Sequence, residues 1–360
     1  MTKSRIIFLS GVLAILAVIG WGSHFIYRII EDDGKKYKTV RLAENTPSLY
    51  KLSHYIAGDK SFYKDQGIKI KTVDSRDDRE ALSSLEKGEA DIALVSPAGL
   101  ILKHSCELKE GIGPVAFAAL DRGNAYHLVA RENNPLEDIR TLKRKVIIAG
   151  PPDSQETLFL ENILWDGGLN PYETVTIITN IPPEIKIGAL KSGTGHYLLV
   201  EDKDLPDTLS KGFFKVKSFK TGYPTFVCVT TREFLKNQPE AVQGFTNALY
   251  MAQIWIKHHT AGETAAALQD TRGIDKKILP ALVESYYSNS ALPESPVLQE
   301  KSLDLVARIL DRSREIPMPV KTGDMVINQF TAITLKTVKY VPEEKRERTG
   351  IQRLKFWEGR

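Results

Sequence analysis

The sequence predicts an α/β fold of two similar lobes, preceded by an apolar N-terminal helix. Three observations lead there. From residue 38 onward, short runs with the two-residue alternation of strands take turns with longer runs at helical spacing. One strand–helix–strand unit recurs in similar form about a hundred residues later. Residues 6–30 carry only Ser10, Ser23, His24 and Arg28 as clearly polar interruptions.

The N-terminus comes first. Lys3 and Arg5 precede IIFLSGVLAILAVIGWG and then SHFIYRII. About 20 apolar residues cross the hydrocarbon core of a bilayer, so this run is long enough. A signal peptide has a shorter apolar region and a small-x-small cleavage site. Here Trp21, His24, Phe25 and Tyr27 crowd the place where small residues belong, and no cysteine follows for lipid attachment. Residues 1–36 are therefore expected to form a signal-anchor helix and linker, with a cleaved signal as the alternative. Lys3 and Arg5 favour an inside N-terminus, Arg28 opposes it, and Trp21 and Tyr27 suit the interface. Either way the expected place is the cell membrane by a single N-terminal pass, with the body outside the cytoplasm, or the secreted or periplasmic space after cleavage.

The body is read in chain order. KTVRLAE (38–44) alternates as a strand, and NTPSLYKLSHYIAGDKSFY then places Leu49, Leu52, Tyr55 and Ile56 at helical spacing. IKIKTVD (68–74) is a strand, DDREALSSLEKGEA an amphipathic helix stopped by Gly88, and ADIALVSP (90–97) a buried strand leading into the helix AGLILKHS. PVAFAALDRG and AYHLVARE read as strands around the turn Asp121-Arg122-Gly123. RKVIIAG (144–150) is a strand, and PPDSQETLFLENILWDGGL a capped helix ending at Gly167-Gly168. TVTIITNI (174–181) is a strand, PPEIKIGALKSGTGH a helix and turn, and YLLVE (197–201) a strand. TFVCVTTREFL reads as a further strand, EAVQGFTNALYMAQIWIKHH as a long amphipathic helix, and the chain from there to about 340 as mostly helical. The recurring unit is IKIKTVDSRDDREALSSLEKGEADIALVSP set against TVTIITNIPPEIKIGALKSGTGHYLLVE. Alternation of this kind gives mostly parallel sheets, and ligands of such sheets bind outside the carboxyl ends of the strands.

Composition excludes several classes of function. Lys+Arg is 49 and Asp+Glu 45. Setting aside Lys3, Arg5 and Arg28 leaves 46 against 45, a near-neutral body that argues against a nucleic-acid partner. Hydrophobic residues at 42% and charged residues at 26% support a sizeable core. Cys106 and Cys228 exclude a disulfide-dense scaffold and a four-cysteine zinc site, and allow one disulfide. There is no P-loop, G-x-S-x-G or H-E-x-x-H, and GIG (111–113) is no dinucleotide fingerprint. His258 and His259 are helix neighbours that do not share a face, so no metal pair is expected, and His196 reads as a turn residue. Met251, Trp255 and Ile256 are core positions, and KRERTGIQRLKFWEGR ends a basic tail (341–360).

The runs VRLAENTPSLYKLSHYIAGDKSFYKDQGIKI, ALSSLEKGEADIALVSPAG, IRTLKRKVIIAGPPDSQET and GYPTFVCVTTREFLKNQPEAVQGFTNALYMAQIWI follow one another at a telling spacing. In that order they resemble the solute-binding proteins of ABC transporters, in particular the nitrate/sulfonate/taurine and thiamine-pyrimidine-like group of periplasmic binding proteins type 2. The likeness covers roughly residues 38–270. It implies a two-lobed solute-binding domain over 38–340, with lobe 1 at about 38–122 and 225–340, lobe 2 at about 123–224, and two crossing strands as the hinge. It also implies a monomer that binds a small-molecule ligand, delivers it to an ABC permease, and uses no cofactor or metal.

The expected ligand-binding residues fall on four segments. In the loop ENTPSLY, Asn45, Thr46, Pro47 and Ser48 lie between a strand end and a helix start, where exposed amides attract anions; Ser48 can equally be a plain cap. Ser96 and Pro97 repeat that geometry, with an ordinary turn as the alternative. In PPDSQET, Asp153 and Glu156 fit a capping pattern, while Ser154 and Gln155 offer a hydroxyl and an amide. The two carboxylates there disfavour a small oxyanion such as nitrate. Glu201 falls where relatives often carry an acidic residue and could accept an amine or ring N–H, although Asp202 replaces the usual proline. Tyr223, at the expected second crossing, either stacks on a ligand or fills the hinge; with Tyr50 it leans toward an organic ligand. Sulfonate, nitrate, taurine, bicarbonate, pyrimidine and flavin-precursor ligands all remain open. A membrane-anchored sensing module and an enzyme like the thiamine-pyrimidine synthases are the other readings. The enzyme would need a cysteine-rich motif that the distant Cys106 and Cys228 do not make.

Overall fold

The computed structural model describes residues 37–342, apart from 46, 107–112, 153, 269–273, 275 and 290. The expected N-terminal helix and nearly all of the basic tail lie outside the described residues. Among those that are described, no helix is long and apolar enough to cross a membrane. Residues Lys38–Val338 form one contact unit.

The chain begins with β1 (Lys38–Glu44) and a single 3-10 turn, then α1 (Leu52–Asp59) and α2 (Phe62–Asp65). β2 (Ile68–Asp74), α3 (Asp78–Glu86), β3 (Ile92–Val95), α4 (Pro97–Ser105) and β4 (Val115–Ala119) complete the first half. Side chains set the helix starts. Asp77 accepts from the Glu80 amide at the head of α3, and Ser96 accepts from the Gly99 amide at the head of α4. Gly88 adopts φ +67° where α3 ends, as its place in the sequence requires.

The second half runs β5 (Ala125–Ala130), β6 (Val146–Ile148), α5 (Gln155–Asp166), β7 (Thr176–Ile178), α6 (Lys186–Lys191), β8 (Tyr197–Glu201), α7 (Leu205–Ser210) and β9 (Phe214–Lys220). β10 (Val227–Thr230) then returns to the first sheet. The sheets are ordered β2-β1-β3-β10-β4 and β7-β6-β8-β5-β9. In each sheet four strands run the same way and one, β10 in the first and β5 in the second, runs antiparallel between its two neighbours. β3, β4 and β10 are buried along their whole length, which is why they read as continuous apolar runs.

Two segments differ from the sequence reading. FKVKSFK is a strand, β9, that the reading left unassigned; its lysines face solvent at the edge of the second sheet. REFL is helical, not a continuation of β10. Thr231 accepts from the Phe234 amide and starts α8 (Arg232–Asn237), with Glu233 favourably placed in its first turn. The long helix α9 (Pro239–Lys257) buries Val242, Phe245, Leu249, Trp255 and Ile256 in a core under the first sheet. It is followed by α10 (Ala261–Ala267), α11 (Leu279–Ser288), α12 (Glu300–Arg312) and α13 (Gln329–Thr337). Both cysteines are free, Cys228 buried in β10 and Cys106 exposed at the end of α4, so the disulfide that the sequence allowed does not form.

The chain crosses between the sheets at residues 120–124 and 221–226. One buried carboxylate ties the crossings together. Asp121 Oδ1 accepts from the amides of Gly123 (2.7 Å) and Thr225 (2.8 Å), and Oδ2 accepts from the amide of Phe226 (3.0 Å). Burial pushes the Asp121 carboxyl up to about 7, against the pull of these three amides. Gly123 is at φ +113°, and a Cβ there would stand 2.3 Å from both Thr221 Oγ1 and the Tyr223 carbonyl. Only glycine fits so close an approach.

Asp121→Ala leaves three buried amides without an acceptor. An unmet buried donor costs about 1–3 kcal/mol. Urea unfolding followed by circular dichroism is therefore expected to show a loss of about 3 kcal/mol or more for this variant, against about 1 kcal/mol or less for a surface change such as Lys217→Ala.

Candidate functional site

A cavity of about 440 Å³ opens between the two sheets, above the crossings. Its walls come from the carboxyl ends of β1 and β8, the head of α5, the starts of β5 and β10, and α11.

The first wall rests on a buried lysine. Lys51 is fully buried, and its Nζ donates to the Asn45 carbonyl and to Asn45 Oδ1, both at 3.0 Å. Glu44 lies 3.8 Å from that ammonium, and the Phe226 ring sits over it at 4.8 Å. Asn45 Nδ2 donates to Asp78 Oδ1 at 2.8 Å. Ser48 caps the following turn, accepting from the Tyr50 amide. These bonds hold Asn45, Pro47, Ser48, Leu49 and Tyr50 along one side of the cavity. Phe226, Leu282 and Tyr286 extend the same apolar surface, with the Tyr50 and Tyr286 rings 6.0 Å apart.

The opposite wall is charged. Glu201 lies 3.0 Å from Lys203, and Glu156 lies 3.6 Å from Lys186. Glu156 Oε1 is buried without a hydrogen-bond partner. Burial pushes the Glu156 carboxyl up to about 7; Lys186 opposes the shift and Glu201 adds to it. Burial lowers the Lys203 ammonium, but Glu201, Asp204 and Glu156 more than restore it.

Asp202 joins the walls. Its Oδ1 accepts from His127 Nε2 and from Asn289 Nδ2, each at 2.6 Å, and its Oδ2 accepts from the Ala125 amide at 3.2 Å and from the Tyr50 hydroxyl at 3.3 Å. The single proton of the Tyr50 hydroxyl is shared between Asp202 Oδ2 and the nearer acceptor, Asn124 Oδ1. Burial, with Asp202, Asp121 and Glu201 nearby, raises the Tyr50 phenol far above its usual range, so it stays a donor. His127 Nδ1 meets Ser218 Oγ at 2.8 Å, which fixes the ring from the β9 side.

Of the residues expected from the sequence, Asn45, Pro47, Ser48, Ser154, Gln155 and Glu201 line this cavity. Thr46 and Asp153 lie outside the described residues. Ser96 and Pro97 are absent from the lining; Ser96 gives both its amide and its hydroxyl to Asp78 and caps α4, a structural task. Tyr223 is also absent from it, packed in the core against Phe159 with rings 6.4 Å apart. The cap of α5 is Ser154, which accepts from the Thr157 amide, and Glu156 lies 3.6 Å from Lys186. His196 takes part in a turn, accepting from the Val146 amide, and His259 stacks on Trp255. Among the described residues no three His, Cys, Asp or Glu are grouped to hold a metal ion.

The reading missed Asn124, Tyr126, Lys203, Thr225, Phe226, Leu282, Ser285 and Tyr286. Tyr126 and Phe226 sit in apolar strand patterns, and Tyr286 in a helical one, where a wall of a cavity and a core look alike in sequence. Asn124 follows the turn at Asp121, and Thr225 follows the expected crossing at Tyr223-Pro224, so a signal was present for each.

Asp202→Ala removes the acceptor for four groups at once, while Tyr50→Phe removes a single donor. Thermal unfolding is expected to rank them accordingly, with a loss of about 3 kcal/mol for the first and about 1 kcal/mol for the second.

The family model described as NMT1/THI5 like matches residues 49–261. The Bacillus subtilis (strain 168) protein named "Putative binding protein YtlA" is 26% identical over 294 residues, covering 80% of this chain and 87% of that protein. The periplasmic aliphatic sulphonate binding protein SsuA from Escherichia coli superposes with a TM-score of 0.65 at 14% identity, covering 86% of this chain and 96% of SsuA. The periplasmic nitrate-binding protein NrtA from Synechocystis PCC 6803 gives a TM-score of 0.60 at 14% identity, covering 88% of this chain and 92% of NrtA. At such identities the solved structures establish likeness of fold alone.

Proposed function

This chain belongs to the NMT1/THI5-like family, and we propose that it is the extracytoplasmic solute-binding component of an ABC importer, capturing a small ligand between two lobes. The observation that carries this reading is the cavity of about 440 Å³, whose opposite walls come from different sheets joined by two short crossings. That volume suits a small organic molecule. A ligand seated there touches Asn45, Ser48 and Tyr50 on one side and Ser154, Gln155 and Glu201 on the other. It therefore binds best when the walls are close, and this difference in affinity drives closure about the crossings. No bond needs to be made or broken, so the proposal includes no cofactor and no catalytic residue.

The division into lobes at about 38–122 with 225–340, and at about 123–224, is part of the proposal. So are the monomeric state, an ABC permease as partner and no nucleic acid. The apolar run 6–30 supports a body held outside the cytoplasm by an N-terminal anchor, or released there after cleavage. Named relatives that bind sulphonate and nitrate support a ligand of that size.

A thermal-shift screen of the purified protein against sulfonates, nitrate, bicarbonate, pyrimidines and flavins tests the reading. A ligand at a hundred times its Kd stabilises by about 2.7 kcal/mol. Small-angle scattering is then expected to show a more compact particle with the ligand that shifts the melting point. Ser285→Phe, which fills the cavity from α11, is expected to abolish that shift; Ser96→Ala is expected to lower the melting point of the free protein while leaving the shift intact. A ligand that still binds Ser285→Phe at full affinity places the site elsewhere.

A further inference from the structure

We propose that the cleft selects its ligand by positive charge: an organic cation of the amine or amidine class, with its nitrogen against Glu156 and Glu201 and its body among Tyr50, Tyr126, Phe226 and Tyr286. The inference rests on the solute-binding reading and deepens it.

The charge on the walls comes first. Among the described residues, the ionisable acids and bases lining the cavity are Glu156, Glu201, Asp202 and Lys203, with no arginine among them. Lys203 is held 3.0 Å from Glu201, and Lys186, just outside the lining, stands 3.6 Å from Glu156. Counting both lysines, the carboxylates still exceed the ammonium groups by one. A half-dry cleft with excess negative charge gains most from a cation.

Several donors that an oxyanion could use are already committed. Ser154 Oγ donates to the Pro151 carbonyl at 2.8 Å and accepts from the Thr157 amide. The head of α5, which would otherwise attract an anion, carries Glu156 in its first turn. The Tyr50 hydroxyl is directed at Asn124 and Asp202. The polar atoms left over are of another kind. In the lining, Glu156 Oε1 and the hydroxyls of Tyr286 and Thr225 are buried without a hydrogen-bond partner. The ionised carboxylate can only accept, whereas the two hydroxyls can accept or donate. A ligand N–H meets the first, and the electron-rich faces of the surrounding rings favour the same positive charge.

The titration of Glu156 agrees. A carboxyl raised to about 7 is one whose burial is not matched by a counter-ion. The charged groups facing it are Lys186 from the head of α6, Glu201 from the end of β8, and Lys203 and Asp204 beyond it. Below about 7 Glu156 takes up a proton and its attraction for a cation is lost; above about 7 it is ionised and the attraction is complete. Cation affinity therefore rises with pH across this range.

Benzamidine and benzenesulfonate test the proposal, because they share a ring and carry opposite charges. Titration calorimetry on the full chain at about pH 8 is expected to show benzamidine binding and benzenesulfonate at least about tenfold weaker. Glu156→Gln and Glu201→Gln, each checked for native circular dichroism, are expected to weaken benzamidine about tenfold, and Glu156→Gln to remove most of its pH dependence. Benzenesulfonate binding as tightly as benzamidine, benzamidine binding that ignores both variants, or no binding of benzamidine overturns the charge assignment. The solute-binding reading survives those results if any member of the thermal-shift panel binds and compacts the protein, and falls with the charge assignment if none does.

Discussion

The Asp121 carboxylate, buried at the point where the chain passes twice between the sheets, is the interaction on which the rest depends. It accepts from Gly123 in the outgoing crossing and from Thr225 and Phe226 in the returning one. Those amides precede β5 and β10, the antiparallel strands that distinguish each sheet from a plain parallel one. The same residues set the floor of the cavity, since Asn124, Thr225 and Phe226 all line it. One side chain thus holds the topology, the closeness of the sheets and the base of the cleft. The two oxygens of one carboxyl accept from all three amides, which offsets the cost of burying the group.

Asp202 performs a matching task one layer higher. It follows the last residue of β8, yet two of its four donors, Tyr50 and Asn289, belong to the elements around the first sheet. The opposing walls are therefore already in hydrogen-bond contact at the edge of the cavity. Any opening about the crossings must break bonds to this carboxylate, and any ligand that holds the walls together works in the same direction as those bonds. In the proposed reading the ligand's selectivity then falls to polar atoms left without a hydrogen-bond partner, chiefly Glu156 Oε1.

Much of this was legible in the sequence, for reasons that differ from element to element. β1, β2 and β3 with their helices were readable because alternation, capping residues and Gly88 all pointed the same way. The later unit over residues 174–201 was readable because it repeats the earlier one. β9 was equally regular, but its alternating lysines resemble a solvated turn until the edge position is known. REFL was taken for strand because Phe234 and Leu235 continue the apolar run of β10, while the Thr231 cap that starts the helix is a single residue. At the site, Ser154 and Glu201 could be found because they end strands or begin helices. Phe226 and Tyr286 could not, because an apolar residue facing a cavity obeys the same periodicity as one facing a core. Ser96 and Tyr223 show the converse: each stands at a plausible address, but Asp78 takes the hydroxyl of the first and Phe159 packs against the ring of the second.

The helix α12 limits how such a protein can move. Its buried face, Leu303, Val306, Ile309 and Leu310, belongs to one apolar cluster that includes Val95 and Leu100 of the first half and Leu128 and Leu160 of the second. It packs on both α4 and α5, and Arg312 reaches Asp166 at 2.6 Å and Asn162 at 3.1 Å. Apolar packing of this extent resists separation, because exposing it costs about 25 cal/mol for each Å². The walls of the cavity are held instead by a few hydrogen bonds to Asp202, each worth about 1 kcal/mol net. The weaker set yields first. In the proposed closure, motion about the crossings is thereby directed into the cleft rather than across the α12 packing, and a ligand contributing only a few kcal/mol is enough to decide between open and closed.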